Sequence, residues 1–266
     1  MNARPKKSFG QHFLHERRYI ERIVSAIAPK DSDTLVEIGP GEGALTLPLL
    51  RAAGRLTAIE LDTDLIPALA ERAAAVGELR IVHADVLKVD FAALAREIGA
   101  PRLRIAGNLP YYISSPILFH CVEHAAAIQD MHFMLQKEVV DRMAAGPGSK
   151  VYGRLSVMLQ LACHVTPLFD VPPGAFRPPP KVDSSVVRLV PLSAEERHDA
   201  DPATVHAVVK AAFAQRRKTL ANGLRQILDA EAIRAAGVDP GARAETLAPL
   251  DFVRLAKVRQ AISGPV

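Results

Sequence analysis

Leu35-Val36-Glu37-Ile38-Gly39-Pro40-Gly41-Glu42-Gly43-Ala44 is the stretch that decides how this chain is read. A short apolar run passes directly into a glycine-rich turn and then into residues spaced as a helix. Glycine lets the backbone bend sharply and approach a ligand with no Cβ in the way, so the stretch predicts strand, binding turn, helix. Moving outward, the same alternation repeats. Strands are expected near residues 34–38, 56–60, 79–83, 103–107 and 131–135, with helical stretches near 44–53, 64–75, 91–98 and 115–124. Alternation of this kind implies βαβ units and a mostly parallel sheet covered on both faces.

A helix is expected before the motif at 18–28, where Ile20, Ile23, Val24 and Ile27 share a face. Beyond it, residues 144–150 read as a loop and 152–162 as a helix. Strands near 163–170 and 185–190 flank a proline-rich stretch, and with no helical crossover between them they predict an antiparallel edge. From Asp201 only helical spacing remains. The expected architecture is therefore an α/β catalytic domain over residues 1–195 followed by a small all-helical domain over 196–266.

The composition fits that picture. The 266 residues are 49% hydrophobic and 23% charged, which excludes a disordered or collagen-like chain. No apolar run reaches the roughly 18 residues that span a bilayer, and the basic start MNARPKKSFGQHFL lacks the apolar core of a signal peptide. Cys121 and Cys163 form no CxxC pair, which points to a reducing cytoplasm rather than a disulfide framework. The protein is expected to be a cytoplasmic monomer with no membrane partner. Its net charge of +4 gathers at Arg4, Lys6, Lys7, Arg17, Arg18 and Arg22 and again at Arg216, Arg217 and Lys218, a distribution that suits a polyanion.

The chemistry-bearing residues sit where the strands end. Gly39 and Gly41 form the first turn, Glu60 follows Gly39 by 21 residues (60 − 39), and Asp85 with Val86 closes the third strand. A carboxylate at Glu60 can take both hydroxyls of a ribose, and Asp85 can accept from an adenine amine. Gly39-x-Gly41-x-x-Ala44 also satisfies a dinucleotide fingerprint, so these residues alone fit either a dinucleotide or S-adenosylmethionine. The fourth strand, ending in Asn108-Leu109-Pro110-Tyr111, separates the two. The Asn108 carboxamide and the Leu109 carbonyl are acceptors for an exocyclic amine, Pro110 fixes the turn, and Tyr111 offers a face to a base. Nothing there supplies the acid that hydride transfer needs, whereas methyl transfer to an adenine amine uses every group. Phe176, ahead of Pro178-Pro179-Pro180, is expected as a second ring that clamps an extruded base against Tyr111. His120 and His124 share a helix face without a third ligand nearby, so no metal is expected.

Taken together, these stretches resemble the ribosomal RNA adenine N6,N6-dimethyltransferase family, most closely its bacterial small-subunit branch. The resemblance rests on Lys7 to Leu14, Glu37 to Gly43, Glu60 to Asp62, Asp85, Asn108 to Tyr111, Gln136 to Glu138, Phe176 to Ser184 and Phe213 to Leu220. It implies a Rossmann-like class I methyltransferase sheet with S-adenosylmethionine as cofactor. His12 and Leu14 would cover the entrance, Gly39 and Gly41 the amino-acid end, Glu60 the ribose, Asp85 and Val86 the adenine, and Asn108 the point of transfer. It implies a substrate of two adjacent adenosines in the 3′-terminal hairpin loop of 16S rRNA, each methylated twice, within the small ribosomal subunit or its precursor. The helical domain, with Arg216, Arg217 and Lys218, would bind that RNA. Two positions depart from the family pattern, which has Asn where His12 and Tyr112 stand. The alternatives are a 23S rRNA adenine methyltransferase of the macrolide-resistance type and an assembly factor acting mainly by RNA binding.

Overall fold

The computed structural model describes residues 12–215 and 217–263. In chain order they form β1 (Phe13–Leu14), α1 (Arg17–Ile27), β2 (Leu35–Ile38), α2 (Thr46–Ala53), β3 (Arg55–Glu60) and α3 (Ile66–Ala74). Next come β4 (Glu78–His83), α4 (Phe91–Ile98), β5 (Leu103–Asn108), α5 (Ser114–Glu123), β6 (Ile128–Gln136) and α6 (Lys137–Ala144). Then follow α7 (Arg154–Gln160), β7 (Cys163–Val171), β8 (Phe176–Arg177) and β9 (Ser184–Pro191). The last helices are α8 (Pro202–Ala214), α9 (Leu220–Gly223), α10 (Ala230–Ala235) and α11 (Pro249–Ser263).

Seven strands make one sheet in the order β4-β3-β2-β5-β6-β9-β7. The first five are parallel, and β9 runs antiparallel to β6 with Met134 opposite Val186. The expected parallel sheet with an antiparallel edge is what forms. Residues of the inner strands are buried on both faces, as all four of β2 are, because helices cover each side. Strand order reverses between β2 and β5, and ligands of such sheets bind beyond the carboxyl ends of the strands at that reversal. There β5 passes so close to β2 that a Cβ on Gly107 would stand 2.7 Å from the Ile38 carbonyl oxygen. Only glycine fits.

At the opposite, amino ends of the same strands a buried ion cluster ties four segments together. Arg104 of β5 holds Asp130 of β6 with two hydrogen bonds of 2.9 Å, Asp33 ahead of β2 at 2.5 Å, and the Ile27 carbonyl of α1 at 2.7 Å. Burial pushes the neighbouring His132 imidazole below the ordinary histidine range; Asp130 opposes this, and Arg104 and Arg188 reinforce it.

The chain divides into two compact units. The first comprises residues 1–140 and 166–191, and the second 141–165 and 192–266. A single cut at 195/196 therefore misses that the second unit is discontinuous. The physical reason is that Tyr152, Val157 and Leu161 bury themselves with Val205, Val208, Val209 and Phe252 in one core. The Tyr152 hydroxyl donates to the Leu247 carbonyl at 2.8 Å, and Phe213 stacks on Phe252 with centroids 5.6 Å apart. Helix α6 is likewise absent from the sequence expectation. It begins directly after β6 with no turn residue between, so its apolar pair Val140 and Met143 carries no boundary signal.

Candidate active site

The carboxyl ends of β2, β3 and β5, with the residues following β4, enclose one pocket in the first unit. The turn after β2 places Gly41 at φ +56°, and a Cβ there would meet the Phe13 ring at 3.2 Å. The backbone thus favours glycine, and a Cβ would also press the Phe13 ring of the strand that lies over it. That covering strand is β1, which pairs with β8 in a separate two-stranded ribbon, Leu14 opposite Phe176.

Glu60 sits at the end of β3, 7% exposed. One carboxylate oxygen accepts from the Asp62 amide at 2.8 Å and the other from the Gly41 amide at 3.2 Å. Each oxygen keeps a lone pair for a ligand, so the residue fixes the glycine turn while lining the pocket. Asp85 accepts from the Leu87 amide at 3.0 Å through one oxygen, and the carboxylate with Val86 forms the wall after β4.

Asn108 is oriented by the chain start. Its Nδ2 donates to the His12 carbonyl at 3.1 Å. A carbonyl only accepts, so the amide nitrogen is committed there and Oδ1 remains the free acceptor. The Leu109 amide is bound to the Met134 carbonyl at 3.1 Å, which leaves the Leu109 carbonyl as the second acceptor beside it. The Tyr111 hydroxyl and Ser184 Oγ are 2.6 Å apart, and the Tyr111 ring stacks on His12 with centroids 5.7 Å apart and 27° between planes. Burial raises the Tyr111 phenol pKa, against the opposing pull of Ser184. His12 Nδ1 donates to the Pro178 carbonyl at 2.8 Å. The departure at His12 therefore meets the site through a backbone carbonyl and a stacked ring.

Phe176, expected as the second ring of a base clamp, is buried. It is 2% exposed, packs in the core with Leu14, Ile23 and Val186, and does not line the pocket. Burying such a ring against aliphatic neighbours stabilises it by about 1.5–3 kcal/mol over exposure, and the ribbon with β1 holds it inward. The ring that meets Tyr111 is that of His12. Lys218 and Arg217 are exposed in the second unit, while Arg216 and the basic residues Arg4, Lys6 and Lys7 lie outside the described residues. His120 Nε2 donates to the Val89 carbonyl at 2.8 Å, and the ring packs with His124 around Phe91.

Among the lining residues that the sequence reading gave no role are Phe13 and Glu37. Glu37 is 2% exposed and its Oε2 has no hydrogen-bond partner among the described residues. Burial holds its carboxyl up to about 8, the nearby Thr46 hydroxyl pulling the other way and the Glu60 charge adding to the rise. The signal was present in the motif: a charged residue inside a strand buried on both faces. With Glu42, Glu60, Asp62 and Asp85, the lining carries four carboxylates besides the raised Glu37 carboxyl and, among the described residues, no Lys or Arg. Such a wall repels a pyrophosphate and attracts a cation. The dinucleotide alternative does not suit it.

The model of the ribosomal RNA adenine dimethylase family matches residues 2–261. The chain belongs to that family. Its relatives include ribosomal RNA small subunit methyltransferase A of Xanthomonas campestris pv. campestris (strain B100), 62% identical over 260 residues and 98% of either chain. The protein of that name from Xanthomonas axonopodis pv. citri (strain 306) is 63% identical over 268 residues, again 98% of each. A crystal structure of a dimethyladenosine transferase from Plasmodium falciparum superposes with a TM-score of 0.79 at 26% identity, covering 92% of this chain and 96% of that one. That of the 23S rRNA methyltransferase ErmE gives 0.71 at 26%, with 92% and 98% covered. The adenine dimethylase family thus accounts for the sheet, which is that of a class I methyltransferase, and for the enzyme class of the chain.

Proposed function

We propose that this protein methylates N6 of two adjacent adenosines in the 3′-terminal hairpin loop of 16S rRNA, with S-adenosylmethionine as donor, and so contributes to small-subunit maturation. The observation that carries the reading is a carboxylate-lined, cation-favouring pocket with two amine acceptors, Asn108 Oδ1 and the Leu109 carbonyl, at the end of β5. The 62% identity to small subunit methyltransferases A supports the substrate.

The residues fit the cofactor: Glu60 is placed for ribose hydroxyls, Asp85 and Val86 for adenine, Gly39 and Gly41 for the amino-acid end, and His12 and Leu14 for the entrance. When bound, S-adenosylmethionine supplies an electrophilic methyl group on a sulfonium. Adenine N6 is a poor nucleophile because its lone pair is delocalised into the ring. Asn108 and Leu109 accept hydrogen bonds from its two N–H groups and turn the lone pair out of that plane, Pro110 fixes the carbonyl, and Tyr111 supports the base. Alignment of this sort contributes up to roughly 7–11 kcal/mol in ideal cases. No protein nucleophile is required, and the proton leaves the nitrogen after transfer, when it is cationic and acidic. Arg217 and Lys218, with Arg216, are assigned to RNA phosphates in the cytoplasmic particle, the enzyme acting as a monomer.

The test is methylation of purified, unmodified ribosomal subunits with labelled donor, followed by mapping of the product. Label on two adjacent adenosines of the small-subunit hairpin is expected, and label confined to large subunits overturns the reading. An Asn108→Ala variant should lose transfer; if it still restores subunit maturation, RNA binding rather than methylation is the main duty. Replacing Arg217 and Lys218 with Ala should lower the salt slope of RNA binding by about one for each phosphate that is no longer neutralised.

A further inference from the structure

Tyr112 is 60% exposed, and among the described residues it is the only phenylalanine or tyrosine that is exposed rather than buried or half-buried. It lines the mouth of the pocket directly after Tyr111. Its neighbour is committed: the Tyr111 hydroxyl is bound to Ser184 and its ring lies on His12. The Tyr112 ring has neither a hydrogen bond nor a ring partner among the described residues. Its backbone nonetheless has a fixed base. Tyr111–Ile113 form a 3-10 turn entered through Pro110, the Ile113 amide donates to the Pro110 carbonyl at 3.2 Å, and buried Ser114 donates to the Tyr111 carbonyl at 3.1 Å. A large flat ring is thus held in water beside the two amine acceptors, with its hydrophobic faces uncovered.

We propose that Tyr112 is a stacking platform for the nucleobase next to the adenosine being methylated. The proposal rests on the function proposed above and adds a binding site to it. When one of two adjacent adenosines offers its N6 to Asn108, the other is one nucleotide away and is left without its stacking neighbour. An uncovered aromatic one residue along the chain takes that neighbour's place. Base–aromatic stacking tolerates any base, so Tyr112 sets the register of the strand at the site and leaves the identity of the target to Asn108 and Leu109.

The chain contains no tryptophan, so Tyr112→Trp places a single fluorescent reporter at this position while keeping a flat ring. The probe is a synthetic RNA hairpin whose loop carries two adjacent adenosines, alongside the same hairpin with either adenosine made abasic. Expected is strong quenching of the tryptophan by the intact hairpin, and loss of quenching with one abasic hairpin although anisotropy still reports binding. No quenching at saturation, or equal quenching by all three hairpins, overturns the proposal. On purified small subunits, Tyr112→Ala should raise the KM for RNA five-fold or more with the cofactor Kd unchanged, and Tyr112→Phe should restore it. An alanine variant with wild-type KM overturns the proposal even where isolated hairpins bind too weakly to follow. Failure of the wild-type enzyme to methylate the subunits strikes the function itself and is distinguishable from either result.

Discussion

The two ends of the same parallel strands are built on opposite rules. At the amino ends, Arg104 is surrounded by two carboxylates and a carbonyl, and its guanidinium spends its donors inside the protein. At the carboxyl ends, Glu37 keeps an oxygen without a partner, and Glu60, Asp85 and Asn108 keep acceptors open after fixing their own loops. One end closes its electrostatics to hold the fold, and the other leaves acceptors open to hold a ligand. The difference shows that buried charge in this sheet has two meanings, told apart by whether the partners are already present.

The largest effect is expected at the closed end. Asp130→Ala should destabilise the protein by about 3 kcal/mol, the lower part of the range for breaking a buried pair, because Asp33 still faces Arg104. Urea unfolding measures it, and the folded fraction should bind cofactor with unchanged affinity. A loss below about 1 kcal/mol would mean that the cluster does not hold the strands.

Glu60→Ala probes the open end. Charge-assisted hydrogen bonds contribute about 1.5–3 kcal/mol each, so S-adenosylmethionine affinity should fall more than ten-fold in calorimetry. Since Glu60 also holds the Gly41 and Asp62 amides, a smaller loss of stability should accompany it. Unchanged affinity would refute the ribose assignment.

Glu37 sharpens the contrast through pH. Its carboxyl is raised in the folded state from 4.5 to about 8, so the neutral form is favoured by folding. Its contribution is fully present below about pH 4.5 and is lost as pH rises toward 8, by about 1.4 kcal/mol per pH unit at most. Wild-type stability without cofactor, relative to Glu37→Gln, should fall across that window. Parallel pH profiles of the two proteins would remove Glu37 from the open set.

The smallest effect separates core from pocket. Phe176→Tyr would be neutral for a ring at the pocket wall, but in the packed site the added hydroxyl has to be buried. A loss of about 1 kcal/mol or more in stability is expected, with turnover of the folded enzyme little changed. Wild-type stability combined with impaired turnover would return Phe176 to the base clamp.

Most of this architecture was legible in the order of residues. The short apolar and helical runs placed the strands and helices of the parallel core, and Gly39, Glu60, Asp85 and Asn108 were recognisable at strand ends because binding there needs those residue types. The unread parts depend on contacts distant in the chain. The β1–β8 ribbon is two residues a side, too short to carry a pattern, and it decides where Phe176 points. The discontinuous second unit was hidden for a related reason: residues 141–165 have ordinary helix and loop patterns, and only their shared core with Phe252 shows which unit they join.

The same ribbon has a consequence for the order in which the protein can be finished. Phe13 and Arg177 are paired, so β1 has to wait for its partner until Arg177 is reached, 164 residues later (177 − 13). Closing so long a loop is slow relative to forming the local βαβ units. The parallel strands and their glycine turns can therefore assemble first, and the covering of the pocket comes late. A nascent chain stalled before residue 176 would carry the floor of the site without its roof.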